Sequence, residues 1–172
     1  VDGRKASKSL GNAIALAALV NEHGAELVRY LLLSTHYRRP IDFSEDVVTS
    51  SKKGLDAFTR LFERVERLSG KKPNYLGPDM DTSASAILET DYAPFARAVL
   101  GLKMKFLEMM DDDFNTAGAI AVLHELAGEI NSHIEKHEIE KSKHNDLIAQ
   151  VLAATSTLRN VGSVIGLFRL AQ

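Results

Sequence analysis

Apolar residues recur at three- and four-residue steps along most of this 172-residue chain, the spacing of a helix face rather than the alternation of a strand. After Asn12, a suitable N-cap, AIALAALVNEH predicts a short helix stopped by Gly24. AELVRYLLLST predicts a second, with Leu27, Tyr30, Leu31 and Ser34 on one face. Pro40 blocks further helix, so RRPIDF is expected to be extended or turn-like. Ser44 then caps a long amphipathic helix over about 45–69. Glu45 and Asp46 lie in its first turn, where negative charge suits the helix dipole. Its inward stripe is Val47, Val48, Ser51, Leu55, Phe58, Leu61, Phe62, Val65 and Leu68. Gly54 is expected to weaken it by roughly 1 kcal/mol relative to Ala. Arg60, Glu63, Arg64 and Arg67 form a solvated opposite face, and Gly70 ends the helix.

Residues 70–90, with two Pro and two Gly among Ser, Thr and Asp, read as a linker. A helix over about 91–111 follows, with Phe95, Val99, Leu102, Phe106, Leu107 and Met110 inward. DDDFNT breaks it, and Asn115 or Thr116 caps the next, whose core face is Ile120, Leu123, Ala127, Ile130 and Ile134. A polar hinge at about 137–145 leads to a last helix carrying Leu147, Ile148, Val151, Leu152 and Leu158. The pattern predicts a mainly all-α fold, an antiparallel helix bundle preceded by a small irregular segment. Its divisions are 1–44, and 45–172 with a linker at about 70–90.

Composition adds exclusions. With no cysteine, the chain has no disulfide, thiolate metal site or thiol nucleophile. No apolar run reaches the roughly 18 residues of a membrane span, and no signal-peptide core opens the chain. A cytoplasmic setting without membrane attachment is expected. The chain starts on Val1 rather than Met, as a piece of a longer protein would. The net charge of -2 argues against a general nucleic-acid binder, but its distribution is uneven. Residues 1–72 hold 13 Lys and Arg against 9 Asp and Glu, a balance of +4; residues 73–172 hold 8 against 14, a balance of -6. A phosphate-bearing partner is therefore expected on the first half, although helical surfaces often carry such fluctuations.

Two clusters favour structural explanations. His133 and His137 have the spacing of two metal ligands on one helix face, but no third ligand is apparent, and His137 suits a helix C-terminus. Asp111, Asp112 and Asp113 precede a helix N-terminus, where carboxylates are favourable without any cation. No metal is expected in this chain. The opening segment VDGRKASKSLGN is different. Small residues let backbone approach a ligand, and the flexible ammonium groups of Lys5 and Lys8 suit a triphosphate or pyrophosphate. The spacing does not fit a Walker loop.

KASKSLGN resembles the KMSKS signature of class I aminoacyl-tRNA synthetases. LVRYLLLSTHYRRPIDFSED and MMDDDFNTAGAIAVLHELAGEIN resemble two segments that follow it, in order, in cysteinyl-tRNA synthetases. The resemblance implies a loop that closes over ATP while the amino-acid carboxylate attacks the α-phosphate and pyrophosphate leaves. It makes Lys8 the direct ATP ligand, with Lys5 as the second catalytic lysine and Ser7 and Ser9 shaping the loop. It implies a stem-contact segment after the loop and a helical anticodon-binding-type bundle for tRNA(Cys). Cysteine and ATP are the other partners of the full enzyme, and a monomer is expected. The nucleotide-binding sheet and the zinc that selects the cysteine thiol would lie N-terminal to Val1, and a small anticodon-reading module beyond Gln172. The chain alone is expected to be inactive.

Ala6 stands where the family usually has Met, which removes a packing contact. Ala117 and Gly118 stand where Pro and Glu are common, which weakens the helix start. Two alternatives remain open: a ligase joining cysteine to an amino sugar in mycothiol synthesis, and a non-catalytic helical RNA-binding module.

Overall fold

The computed structural model describes residues 16–71, 79–81 and 93–168 of the protein. In chain order the described helices are α1 (Leu16–His23), α2 (Ala25–Leu33), α3 (Glu45–Ser69), α4 (Ala93–Asp111), α5 (Thr116–Lys136), α6 (Ile139–Ser142) and α7 (Asn145–Val164). No strand occurs among the described residues. The chain divides into two compact units, residues 1–57 and 58–172.

In the first unit, α1 and α2 are separated by Gly24 alone, whose φ of 84° only glycine adopts without strain. Leu27, Val28, Tyr30 and Leu31 of α2 are buried, with Leu19 of α1 beside them. Phe43 and Val48 complete this small apolar cluster. Ser34 lies at the C-cap and is exposed; its hydroxyl donates to the Tyr30 carbonyl at 2.7 Å. Gly54 has a reason the periodicity hides. A Cβ there would stand 2.4 Å from the Tyr30 hydroxyl oxygen, so the missing side chain admits the tyrosine.

The second unit is a four-helix bundle built from the C-terminal half of α3 with α4, α5 and α7. Phe95 meets His133, Lys105 meets Glu125, and Met109 reaches Gly118, so α4 and α5 run antiparallel. Phe58 meets His124 and Arg64 meets Asn131, so α3 runs parallel to α5. The core is Phe58, Leu61, Phe106, Leu123, Leu126, Ile130, Ile134 and Leu158. All five residues predicted for the core face of α5 are buried.

Several predicted details change. Leu107 is 39% exposed, and Ala93 and Ala96 take up the tight α4 interface instead. Within the stretch read as a linker, Met80 is fully buried and donates its N–H to Thr157 Oγ1 at 2.8 Å. The polar hinge contains α6, anchored by fully buried Ile139. The α7 helix is surrounded rather than one-faced, with Gln150, Thr155, Ser156, Thr157 and Arg159 all buried. Thr155 and Thr157 satisfy their hydroxyls on the carbonyls of Val151 and Ala153. Arg159 lays its guanidinium 4.5 Å from the Phe62 ring centroid.

Arg64 is the largest departure. Read as part of a solvated stripe, it bonds Asn131 at 2.7 Å, Glu140 at 3.0 Å and Glu135 at 3.3 Å. These bonds raise its pKa and hold the Glu140 carboxyl below its ordinary value. Arg64 thereby ties α3 to α5 and α6. Arg64→Ala is expected to cost about 1–2 kcal/mol, because the bonds are charge-assisted but their carboxylate partners are exposed. An unchanged urea midpoint would contradict this role.

Candidate nucleic-acid interface

The residues predicted to meet ATP, Lys5, Ser7, Lys8 and Ser9, lie outside the described residues, as does Asn12. The described structure begins immediately after them, with the α1–α2 pair and the turn that leaves it.

That turn carries His36, Tyr37, Arg38 and Arg39. The Arg39 N–H donates to the His36 carbonyl at 2.8 Å, and the Arg38 N–H to His36 Nδ1 at 3.3 Å. These bonds close the chain tightly before Pro40. They stack the His36 and Tyr37 rings, with centroids 4.9 Å apart and planes 21° from parallel. Arg38 Nε donates to the Tyr37 hydroxyl at 3.0 Å, and its guanidinium carbon lies 5.4 Å from the ring centroid. Tyr37 is 59% exposed. An exposed ring with the Arg38 guanidinium at its side, and a second arginine next in the chain, offers stacking and phosphate contact together, the pair of interactions that single-stranded or looped RNA uses.

The segment from Pro40 to Ser44 is irregular, as the proline predicts. Ser44 accepts the first helical bond of α3, from the Val48 N–H at 3.0 Å. Its hydroxyl turns to Asp42 Oδ2 at 3.0 Å rather than over the helix.

The two clusters on the bundle are also placed. Asp113 and Phe114 are left-handed, with φ of 52° and 51°, so the acidic run forms a strained turn. Asn115 caps α5, its Oδ1 accepting from the Gly118 N–H at 2.9 Å. A Cβ on Gly118 would lie 2.7 Å from Met109 Sδ, so the small residue that weakens the helix start is also what the packing admits.

His133 is buried and stacks on Phe95, centroids 3.8 Å apart and planes 9° from parallel. Burial, with the nearby His137, lowers its pKa to about 4. Its neighbour His137 lies at the α5 C-cap, ring centroids 4.7 Å apart. No group of three or more potential ligands among the described residues is arranged to hold a metal. No described helix is long and apolar enough to cross a membrane.

Known proteins align with both parts. Residues 1–53 match the tRNA synthetases class I (C) catalytic domain, and residues 105–169 match the DALR domain. The cysteine–tRNA ligase of Halalkalibacterium halodurans is 34% identical over 143 residues, 83% of this chain and 28% of that protein. That of Thermococcus gammatolerans is 32% identical over 168 residues, 98% of this chain and 32% of that protein. Among solved structures, the Agrobacterium radiobacter K84 agnB2 LeuRS–tRNA–LeuAMS ternary complex superposes with a TM-score of 0.65 at 26% identity. The match covers 95% of this chain and 19% of that one. The chain spans between 26% and 33% of the length of such curated relatives. The signature, the helical pair behind it and the DALR bundle thus occur in one order, and the chain belongs to the cysteine–tRNA ligase family of class I aminoacyl-tRNA synthetases.

Proposed function

We propose that this chain supplies the ATP-closing loop and the tRNA-positioning bundle of a cytoplasmic enzyme that activates cysteine with ATP and transfers it to tRNA(Cys). Residues 1–44 form the loop and stem-contact segment, and residues 45–172 the anticodon-binding-type bundle. Lys8 contacts the ATP phosphates directly, Lys5 assists it, and Ser7 and Ser9 shape the loop. The observation that carries this reading is the order of the two family matches on one chain, a class I catalytic segment followed by a DALR domain.

The chemistry follows from charge. Attack of the cysteine carboxylate on the α-phosphate forms a carbon–oxygen–phosphorus link and breaks the bond to pyrophosphate. Negative charge accumulates on the leaving group, and mobile ammonium groups stabilise it as it moves away. A tRNA bound across Tyr37, Arg38 and Arg39 holds its acceptor end toward that site. Two lysines cannot by themselves replace a nucleotide pocket, so the chain alone is expected to show no cysteine-dependent ATP–pyrophosphate exchange.

Partner binding is tested by titrating the chain with tRNA(Cys) over a salt series. Contact through several phosphates predicts weak binding that falls steeply with salt, and a shallower slope for an Arg38→Ala, Arg39→Ala double variant. Salt-insensitive binding, or an unchanged slope in the double variant, would overturn the assignment of this turn.

A further inference from the structure

A cleft of about 200 Å³ opens where the start of α4 meets the end of α5. Phe95 and His133 wall it with their stacked rings, and His137, Glu129 and Lys136 line the remainder. The volume is below the roughly 300–1,000 Å³ of pockets for drug-sized ligands. It suits one ring system, with anything attached to that ring left outside.

Some charges of the bundle are paired and others are not. Elsewhere on the bundle Glu125 pairs with Lys105, Glu138 with Lys141, and Glu135 and Glu140 with Arg64. Among the described residues neither Glu129 nor Lys136 enters an ion pair. Both border the cleft, two helical turns apart on α5. Each therefore keeps its hydrogen-bonding capacity for something else. His137 is half-buried and presents a ring at the rim. Burial holds the His133 imidazole neutral at pH 7, so this ring does not compete as a cation for the Glu129 carboxylate.

We propose that this cleft takes one unpaired guanine of an RNA, stacked on His137, with Glu129 reading its edge and Lys136 meeting the adjoining phosphate. RNA loops are recognised in this way, by splaying out a base and stacking it on a ring such as histidine. A carboxylate only accepts hydrogen bonds. Guanine alone among the four bases offers two adjacent donors, N1–H and the N2 amino group, to its two oxygens. The inference deepens the tRNA-binding reading and rests on it for the identity of the RNA.

The test titrates the chain at neutral pH with the four nucleoside 5′-monophosphates, following the imidazole C–H signals of His133 and His137 by NMR. GMP is expected to shift both and to bind about tenfold tighter than AMP. Glu129→Gln is expected to abolish that preference with the remaining spectrum unchanged, and His137→Ala to weaken GMP about tenfold. Unmoved histidine signals, equal binding of GMP and AMP, or a preference surviving Glu129→Gln would overturn the proposal. A parallel tRNA(Cys) titration separates the two readings. Salt-sensitive tRNA binding with both histidine signals unmoved removes the guanine site and leaves tRNA binding intact. GMP binding without any tRNA binding keeps the site and removes the tRNA assignment.

Discussion

Lys8→Ala in the full-length synthetase carrying this segment is expected to lower cysteine-dependent ATP–pyrophosphate exchange by about 10²–10³-fold, the loss typical of removing one preorganised charge-stabilising group. The loss should fall mainly on kcat. An ammonium that follows the departing pyrophosphate gains most of its interaction after bond breaking begins, so it contributes to the transition state more than to ATP binding. Lys5→Ala should lose less if, as proposed, Lys8 is the direct ligand. Lys8→Arg should restore only part of the activity, since a planar guanidinium on a rigid fork cannot track oxygens as a compact ammonium does. Steady-state exchange with ATP varied gives kcat and KM separately. A rise in the KM for ATP at unchanged kcat would show that Lys8 contributes to ground-state binding alone.

The second large effect concerns acid. Above pH 6.5, His133 is neutral whether the bundle is folded or not, and costs nothing. Below that value the unfolded chain takes up a proton, whereas the folded imidazole resists it until about pH 4. The unfolded state thus binds more protons across this window. Stability falls as pH drops from about 6.5 to about 4, by up to roughly 3 kcal/mol, and levels off below. His124, whose pKa burial also lowers, acts in the same direction. Against a typical domain stability of about 5–15 kcal/mol this is a large share. His133→Phe keeps a ring to stack on Phe95 but cannot titrate. Urea midpoints at about pH 7 and about pH 4.5 should differ markedly less in the variant than in the parent chain. Equal pH dependence in both would show that His133 is not the responsible group.

These two effects rest on different kinds of signal in the sequence. Lys5 and Lys8 are visible only through resemblance to a known signature, since their spacing alone fits a basic terminus equally well. His133 is visible as a histidine at helical spacing, but nothing in the sequence says that Phe95, thirty-eight positions earlier, lies flat against it. The contrast holds for the fold. The limits of α3 are local: Ser44, Glu45 and Asp46 fix its start, and Gly70, at φ of 66°, fixes its end. The inward face of α5 is equally local, because a single stripe at three- and four-residue steps leaves one choice of face.

Arg64 could not be read in that way. Its partners lie 67 to 76 positions further on, and an arginine on the polar side of a helix carries no mark of an approaching carboxylate. Met80 and Ile139 share this character. Each is a lone apolar residue in a polar stretch, too isolated to set a period, yet each fills the core. In α7 the failure runs the other way. Threonines and an arginine on several sides suggest solvent, while the bundle covers them, the helix's own carbonyls satisfy the threonines and an aromatic ring lies against the arginine. The irregular stretch around Pro40 was legible from the proline, and the stacked geometry of Tyr37 with His36 and Arg38 became visible only in three dimensions.

The decisive measurement is aminoacylation by the full-length protein that contains this segment, supplied with labelled cysteine, ATP and either tRNA(Cys) or the amino-sugar acceptor of mycothiol synthesis. Label is predicted to appear on tRNA(Cys), linked through an ester that mild alkali releases, and to be absent from the sugar. Transfer to the sugar, or cysteine activation with neither acceptor charged, would contradict the assignment.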